Sequence, residues 1–398
     1  MKKFGIWIVV MSAILSAGVI GYTYSTNPYS YFHANYDDAY ELTGYWRLVK
    51  PKWLKEKGYN TFVIGSSRSQ SGFNPDTYDE LNDNSLTYNM ALPGMGYYEV
   101  LETAEYITKS VDMDGPMTFI VAMDAYLMPM NKAKARNEQV SWTPKRYDVF
   151  GKIEYNIEFW AKLLFSRAAI EDGHAKSTST KKPQLKWQKN GFSRVGFNKF
   201  RGDKVVRDLK KWRKRKRFIL GDQKVDYFRQ TMEMLDRPNV TVHFVHLPFH
   251  NFVQGIFEEL SPGYQTRAKT KLVQQFVDYT PQHATFEMYD YFTCNEYNSE
   301  EIPADTRSEY FRDLSHMRAI YGDQIMKEIF SDGPYRSDLG VKIETMEAYK
   351  AYLKKDKVCL GRWISEHKAY YEATDDSDIE GAVDIADEEE DDELGLDF

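Results

Sequence analysis

The sequence predicts an α/β protein built on a mostly parallel central sheet. Residues 61–64 and 117–123 are short apolar runs, rich in β-branched side chains, and each run stops abruptly at a polar loop. This pattern is typical of strands that are buried on both faces of a sheet. Between them, residues 97–110 repeat apolar side chains at helical spacing. The alternation of strand and helix implies parallel pairing through right-handed crossovers.

The first element is an apolar segment at residues 4–22, which contains nineteen residues without a charge. That length spans the hydrocarbon core of a bilayer. Lys2 and Lys3 precede it and acidic residues follow from Asp37, so the positive-inside rule puts the N-terminus in the cytoplasm and the body outside. A cleaved signal peptide, cut near Ala17, is the alternative and also exports the body. We favour an uncleaved transmembrane anchor, residues 1–24, because the apolar run continues past that site.

The α/β domain is expected at residues 25–335, after a short lead-in. Residues 45–57 have helical spacing and precede the first strand. Asn74 is placed to cap the next helix, because its side chain can accept a bond from a free backbone N–H. In addition to the elements named above, strands are predicted at 86–92, 239–248 and 285–292, and helices at 76–81, 225–235, 252–279 and 321–330.

Residues 128–222 interrupt this alternation, and we interpret them as a cap-like insertion over the site. Residues 155–169 have helical spacing, and residues 173–189 are expected to form an exposed loop. Residues 204–217 contain nine Lys and Arg side chains. Such a run favours anion binding, to lipid headgroups, an acidic polysaccharide or nucleic acid, although the predicted topology disfavours nucleic acid. A solvated helix end is the alternative.

The C-terminal part is expected to add a helical appendage at 336–373 and a disordered acidic tail at 374–398. The tail contains 13 Asp and Glu residues and no Lys or Arg, a composition typical of disorder. Because the whole chain has a net charge of −7, the rest of it is net positive and favours an anionic surface or polymer. Cys294 and Cys359 allow one disulfide or two buried thiols, and two cysteines cannot define a metal site.

The residue types of a serine hydrolase occur at positions that the topology can bring together. Ser67 follows the first strand directly, at the sheet edge where open α/β proteins place their sites. Asp313 and His316 are spaced three apart, so both side chains can reach one site. A nucleophilic serine needs a base that takes its proton and a carboxylate that orients the base. The three residues therefore predict a catalytic triad.

The motifs around these residues resemble those of the SGNH (GDSL-like) hydrolase superfamily, in its membrane-anchored cell-envelope branch. Residues 65–67, Gly-Ser-Ser, match the first block and resemble the variant in proteins of teichoic-acid D-alanylation and polysaccharide O-acylation. Asp313 and His316 match the closing Asp-x-x-His. The third block differs from the superfamily pattern, because Asp124 stands where the superfamily has Asn. The resemblance covers roughly residues 59–329 and implies a three-layer α/β/α fold.

The resemblance also implies roles for residues around the nucleophile. The backbone N–H groups of Ser67 and Gly94, the second-block glycine, are expected to stabilise the oxyanion. Arg68 and Asp124 are expected to project from the same sheet edge, and we predict that they form a charge-assisted pair. The remaining site-lining candidates are Asn89, in the second block, and His250, in a Pro-x-His sequence typical of the envelope branch.

The function that the resemblance implies is an extracytoplasmic serine acyl hydrolase or O-acyltransferase acting on esters of a cell-envelope glycan. The expected partners are that glycan or an acylated polymer, a membrane-bound acyl donor protein, and the membrane itself through residues 4–22; no nucleic acid is expected. The alternative is a non-catalytic SGNH-like protein that binds glycan or assembles a surface polysaccharide. No cofactor or metal is expected, because the sequence has no Gly-rich phosphate loop, no His-Glu-x-x-His and no cysteine cluster.

Overall fold

The computed structural model describes residues 2–27, 32, 46–55, 57–124, 164–165, 167–178, 190–193, 200–214, 221–331, 335 and 339–374. The strands are β1 (Thr61–Ile64), β2 (Thr87–Asn89), β3 (Met117–Ala122), β4 (Val240–His246), β5 (Thr285–Asp290) and β6 (Val341–Lys342). The helices of the first half are α1 (Lys2–Thr26), α2 (Trp46–Leu54), α3 (Ser67–Gly72), α4 (Pro75–Leu81), α5 (Tyr97–Ser110), α6 (Arg167–Thr178) and α7 (Val205–Arg213). Those of the second half are α8 (Asp222–Leu235), α9 (Asn251–Leu260), α10 (Tyr264–Asp278), α11 (Ala319–Phe330), α12 (Met346–Glu366) and α13 (Lys368–Glu372).

The six strands form one sheet in the order β2-β1-β3-β4-β5-β6. The first five strands are parallel, and β6 pairs antiparallel with β5 at the edge. This confirms the prediction of an α/β protein with a mostly parallel sheet. The sequence does not indicate β6, because a strand of two residues is too short to show a period of two.

Both faces of the sheet are buried. Along β1, Phe62 and Ile64 belong to one hydrophobic cluster, and Val63 belongs to a second cluster on the other face. All three side chains have no exposed surface. Burial on both faces is the reason that the parallel strands read as continuous apolar runs.

Local chemistry accounts for the helix boundaries that the sequence predicts. Helix α4 begins at Pro75, and the Asn74 side chain accepts a hydrogen bond from the Asp76 N–H, as expected for its cap. The helical stretch predicted at 252–279 is two helices, α9 and α10. They are separated at Gly263, whose φ of 68° favours glycine.

Helix α1 is long and apolar enough to cross a membrane, and its apolar side chains from Phe4 to Leu15 are exposed. Its C-terminal end packs against α6. A Cβ on Gly173 of α6 would lie 2.6 Å from Thr26 Oγ1, so glycine permits this close contact. The prediction of a loop from Gly173 is therefore wrong as far as Thr178, where α6 ends. The rest of that loop, and most of the helix predicted at 155–169, lie outside the described residues.

Helices α12 and α13 follow the sheet and supply the helix predicted within residues 336–373. Leu353 and Trp363 of α12 belong to the same hydrophobic core as the sheet. A disulfide between Cys294 and Cys359 joins α12 to the loop after β5, which resolves the alternative left open by the sequence. The last described residue is Thr374, and the acidic tail beyond it lies outside the described residues.

Candidate functional site

The candidate nucleophile lies where β1 turns into α3. Gly65 makes this turn, and a Cβ there would lie only 2.6 Å from the Ala122 Cβ of the neighbouring strand β3. Ser66 is the N-cap of α3, and its hydroxyl accepts a hydrogen bond from the Arg68 N–H at 3.3 Å. Ser67 is therefore the first residue of the helix, at the carboxyl edge of the sheet.

Ser67, His316 and Asp313 form a continuous hydrogen-bonded chain. Ser67 Oγ lies 2.9 Å from His316 Nε2. His316 Nδ1 lies 2.8 Å from Asp313 Oδ2 and 3.0 Å from Oδ1. The carboxylate favours the tautomer with a proton on Nδ1, which leaves Nε2 to accept the serine proton. The sequence predicts this proximity, and the structure shows it.

The loop that carries the base is ordered by Asp313. One oxygen of this carboxylate, Oδ1, accepts hydrogen bonds from the backbone N–H of Ser315 at 2.8 Å and of His316 at 2.9 Å. It also accepts one from the Ser315 hydroxyl at 2.8 Å. An antiparallel bridge between Phe311 and Met317 closes the loop. Asp313 thus orients the imidazole and also fixes the backbone on which His316 sits.

Asp313 is held as an ionised carboxylate. Burial by itself would raise its pKa, but the His316 ring, the Arg312 guanidinium and the Ser315 hydroxyl outweigh burial and hold the pKa well below its usual range. The side chains remain reachable, because His316 is 21% exposed and Asp313 is 32% exposed. An ionised carboxylate at this position stabilises the imidazolium that forms when the base takes a proton.

Helix α11 begins just after this loop and packs on α3, which carries the serine. A Cβ on Gly322 of α11 would collide with the backbone oxygen of Gly72 and would lie 2.6 Å from its carbonyl carbon. The absence of a side chain at Gly322 lets the two helices touch backbone to backbone. This contact fixes the serine helix against the element that follows the base.

Arg68 does not form its hydrogen bonds with Asp124, which corrects the pairing that the sequence predicts. Its Nε donates to the backbone oxygen of Ser315 at 2.7 Å, and its Nη2 donates to the backbone oxygens of Leu247, at 3.3 Å, and Pro248. Burial lowers the pKa of Arg68 to about 10, while the charges of Asp124 and Asp313 act in the opposite direction. Arg68 therefore links the residue before His316 to the end of β4.

Asp124 is buried at the end of β3 and accepts a hydrogen bond from the Ser66 hydroxyl. Since Ser66 is the cap of α3, this bond supports the turn that presents Ser67. The carboxylate therefore accepts from a neighbouring donor, whereas the SGNH motif that the sequence resembles has a side-chain donor here.

Asn89 and His250 lie inside the protein, which corrects the prediction that they line the site. The Asn89 amide donates to the backbone oxygens of Ser69, at 3.1 Å, and Phe73, at 2.9 Å, so it holds α3 against the end of β2. His250 caps α9: its Nδ1 accepts from the Phe252 N–H at 3.2 Å, and its Nε2 lies 2.9 Å from the Glu300 backbone oxygen. Burial lowers the pKa of His250 to about 4, so the ring is neutral at pH 7.

Gly94 lies in the exposed turn after β2, where its φ of 59° favours glycine. The same turn runs beside the nucleophile, because the Leu92 N–H donates to the Gly65 oxygen at 2.9 Å. The role of the Gly94 N–H at an oxyanion remains a prediction.

The sequence reasoning missed Ser315 and Phe249. Ser315 bonds to Asp313 and accepts from Arg68, and a hydroxyl residue directly before His316 was the available signal. Phe249 lies beneath the Arg68 guanidinium, with 3.6 Å between its ring centre and Cζ. An aromatic residue three positions beyond β4 carries no comparable signal.

No protein-family model matches this chain, and no curated protein is significantly similar to it in sequence. The site is therefore defined by its geometry, a serine, histidine and aspartate chain at the carboxyl edge of a mostly parallel sheet.

Proposed function

We propose that this protein is an SGNH-type serine acyl hydrolase or O-acyltransferase with a three-layer α/β/α domain. The observation that carries the proposal is the 2.9 Å contact between Ser67 Oγ and His316 Nε2, together with the 2.8 Å contact between His316 Nδ1 and Asp313. This is the order of atoms that a nucleophilic serine needs: hydroxyl, base and orienting carboxylate.

In the proposed reaction, Ser67 Oγ attacks an ester carbonyl while His316 Nε2 takes the hydroxyl proton. The backbone N–H groups of Ser67 and Gly94 stabilise the oxyanion, at about 3–4 kcal/mol for a donor of this kind. The imidazolium then protonates the leaving alcohol as its bond to the acyl carbon breaks. Water or an acceptor hydroxyl then gives its proton to His316 and attacks the acyl-enzyme, and the imidazolium returns that proton to Ser67 Oγ as its bond to the acyl carbon breaks. Asp313 stabilises the imidazolium throughout.

The proposed setting is the outside of a cell membrane, with the N-terminus of α1 in the cytoplasm. The apolar helix supports an anchor, and the Cys294–Cys359 disulfide is typical of an oxidising compartment. The proposed substrates are esters of a cell-envelope glycan or acylated polymer, with a membrane-bound acyl donor protein as a possible source of the acyl group. These assignments rest on the motif resemblance.

A second candidate is a non-catalytic SGNH-like protein that binds glycan or assembles a surface polysaccharide. Asp124 favours it, because this carboxylate stands where the family has an amide donor and instead accepts from Ser66. A site that lacks this side-chain donor stabilises an oxyanion less.

The test is labelling of the detergent-solubilised full chain with a fluorophosphonate, which reacts with activated serines. We expect stoichiometric labelling of the wild type and none of Ser67→Ala. Ser71→Ala is the matched control, because Ser71 lies one turn along α3 and its hydroxyl donates to the Ser67 backbone oxygen at 3.0 Å. Labelling should survive in this control. An unlabelled wild type would favour the non-catalytic candidate.

A further inference from the structure

Helix α7 has one buried face and one basic face. The buried side chains are Val205, Leu209 and Trp212. The exposed side chains with i, i+4, i+7 spacing are Arg207 and Lys211 of the helix and Lys214, which directly follows it. These three cations lie along one stripe, because residues at that spacing share a helix face. We refer to this stripe as the basic face of α7.

The buried face of α7 packs next to the candidate active site. Trp212 on its buried side contacts Phe249, with 5.9 Å between ring centres, and Phe249 lies beneath Arg68, the neighbour of Ser67. Burial raises the pKa of Asp208, and repulsion from the Asp313 carboxylate raises it further.

The chain returns to α7 just before the acidic tail. Helix α13 packs against α7 and ends at Glu372. The Tyr371 hydroxyl donates to the Phe252 backbone oxygen at 3.3 Å, which fixes this helix to the body. Thr374 is buried and donates to the Tyr371 backbone oxygen at 2.6 Å. The acidic tail therefore begins at a fixed point next to α7.

The tail has the charge and the reach to cover that face. It contains 13 Asp and Glu residues, and residues 387–393 are seven acidic residues in succession. The thirteen residues from Thr374 to the start of this block span at most about 45 Å, whereas a nine-residue helix such as α7 is about 13 Å long. A tether of this kind raises the local concentration of its end to about the millimolar range.

We propose that the basic face of α7 is a polyanion-binding surface, and that its occupant in the isolated protein is the acidic segment 375–398 of the same chain. Single exposed ion pairs contribute little, so binding depends on many weak contacts made together through the tether. An external anionic polymer must displace the tail to reach this face. The proposal does not depend on the serine chemistry, because it concerns charge alone.

A zero-length carbodiimide, which couples carboxylates to lysine amines only at ion-pair distance, tests the contact in the full chain. We expect cross-links from residues 387–393 to the α7 lysines, above all Lys211 and Lys214, and a several-fold loss in 1 M salt, where the screening length is about 3 Å. Lys350, Lys354 and Lys357 of α12 are the internal control, since they are exposed at the same i, i+4, i+7 spacing. Cross-links that are absent, or equal on α7 and α12, would overturn the proposal.

A second measurement follows binding of fluorescent poly-aspartate to the full chain in neutral detergent. Changing every Asp and Glu in 387–393 to Asn or Gln should strengthen binding several-fold, and adding Arg207→Gln, Lys211→Gln and Lys214→Gln should abolish that gain. The matched control, Lys350→Gln, Lys354→Gln and Lys357→Gln, should keep it. If the tail variant binds poly-aspartate no better than wild type, the face takes external polymers without competition and the tail is not its occupant. Fluorophosphonate labelling of the same variants reports separately on the serine site.

Discussion

The described part of the chain contains two aspartate–histidine clusters at the carboxyl edge of the sheet, and they differ in exposure and in their third partner. In the first, Asp313 and His316 are partly exposed, and the imidazole contacts a serine hydroxyl. In the second, which we call the buried cluster, His246 at the end of β4 lies 3.5 Å from Asp290 at the end of β5, and both are fully buried. There the third partner is the Lys269 ammonium, 3.2 Å from Asp290.

The difference shows how the surroundings decide what a carboxylate does. Burial would raise the pKa of Asp290, but Lys269, His246 and a hydrogen bond from the Tyr349 hydroxyl outweigh it and lower the pKa to about 2. That charge is neutralised internally, and the bonds join β5 to α10 and α12. Asp313 lies 2.8 Å from the partly exposed imidazole of His316, and its cationic neighbour, Arg312, is farther away at 3.9 Å. In the first cluster the imidazole is placed to accept a proton from Ser67, whereas in the second the contacts join a strand to two helices.

The largest expected effect separates the two histidines. His316→Ala should slow fluorophosphonate labelling of Ser67 by roughly four orders of magnitude, because the base that takes the proton is gone. Its thermal midpoint should change little, since the ring is partly exposed. His246→Gln should do the reverse, with retained labelling and a lower midpoint. Labelling kinetics and thermal unfolding of both variants check this prediction. If only His246→Gln loses labelling, His246 and not His316 is the base.

The next effect concerns the charge of the buried cluster. Asp290→Asn removes the carboxylate that lies 3.2 Å from the buried Lys269 ammonium, and we expect the free energy of unfolding to fall by about 3–5 kcal/mol. Lys342→Gln is the comparison, because it breaks a more exposed contact, at 2.5 Å from Glu287, and should cost less than about 1 kcal/mol. Urea unfolding measures both. Equal losses of unfolding free energy in the two variants would mean that burial of Asp290 adds nothing to the strength of its ion pair.

The free energy of unfolding should also depend on pH, through the carboxylates of both clusters. The folded-state pKa values of Asp290 and Asp313 lie below the unfolded value of about 3.9. A depressed pKa stabilises the folded state above the unfolded value, and this contribution is lost as the pH falls toward the folded value. We therefore expect unfolding free energy to decline between about pH 5 and pH 2, by about 2–3 kcal/mol for Asp290. Asp290→Asn should flatten this part of the profile; an unchanged slope would contradict the assignment.

The clusters were not equally predictable from the sequence. Ser67, Asp313 and His316 could be predicted because their order and spacing form a motif and because a buried parallel strand ends directly before the serine. The buried cluster has no motif: His246 and Asp290 are ordinary strand residues until the register brings β4 and β5 together. Long apolar runs and caps such as Asn74 predicted most of the elements, whereas β6 was too short to show a pattern.

Arg68 shows where reasoning from charge alone fails. The sequence favours the nearby carboxylate of Asp124, but a guanidinium has five donors, and backbone oxygens satisfy them as well as carboxylates do. Three such oxygens, on Ser315, Leu247 and Pro248, are the partners in the structure. A carbonyl has the same chemistry in every residue, so the sequence cannot indicate which ones will be near.

Arg68 also joins the two clusters, because Leu247 directly follows His246 and Ser315 directly precedes His316. Arg68→Lys should lower the labelling rate of Ser67 about tenfold, since one lost hydrogen bond to a charged donor corresponds to about 1.5 kcal/mol or more. Lysine cannot reproduce the fork that contacts both loops. The test compares the labelling rate of Arg68→Lys with its thermal midpoint. If the rate falls no more than the folded fraction does, the role of Arg68 is purely structural.

The smallest effect is expected at Asp124, which supports the serine turn without touching the triad. In Asp124→Asn the amide oxygen can still accept the Ser66 hydroxyl, so the cap of α3 survives and only the extra strength of a charged acceptor is lost. We expect labelling of Ser67 within about threefold of wild type, consistent with a loss of about 0.5 kcal/mol. Asp124→Ala is the matched variant, because it removes the acceptor as well as the charge and should cost more in both rate and stability. If Asp124→Asn abolishes labelling while its thermal midpoint is unchanged, the Asp124 carboxylate acts directly in the reaction. The assignment of Asp313 as the reacting carboxylate and Asp124 as a supporting one would then be wrong.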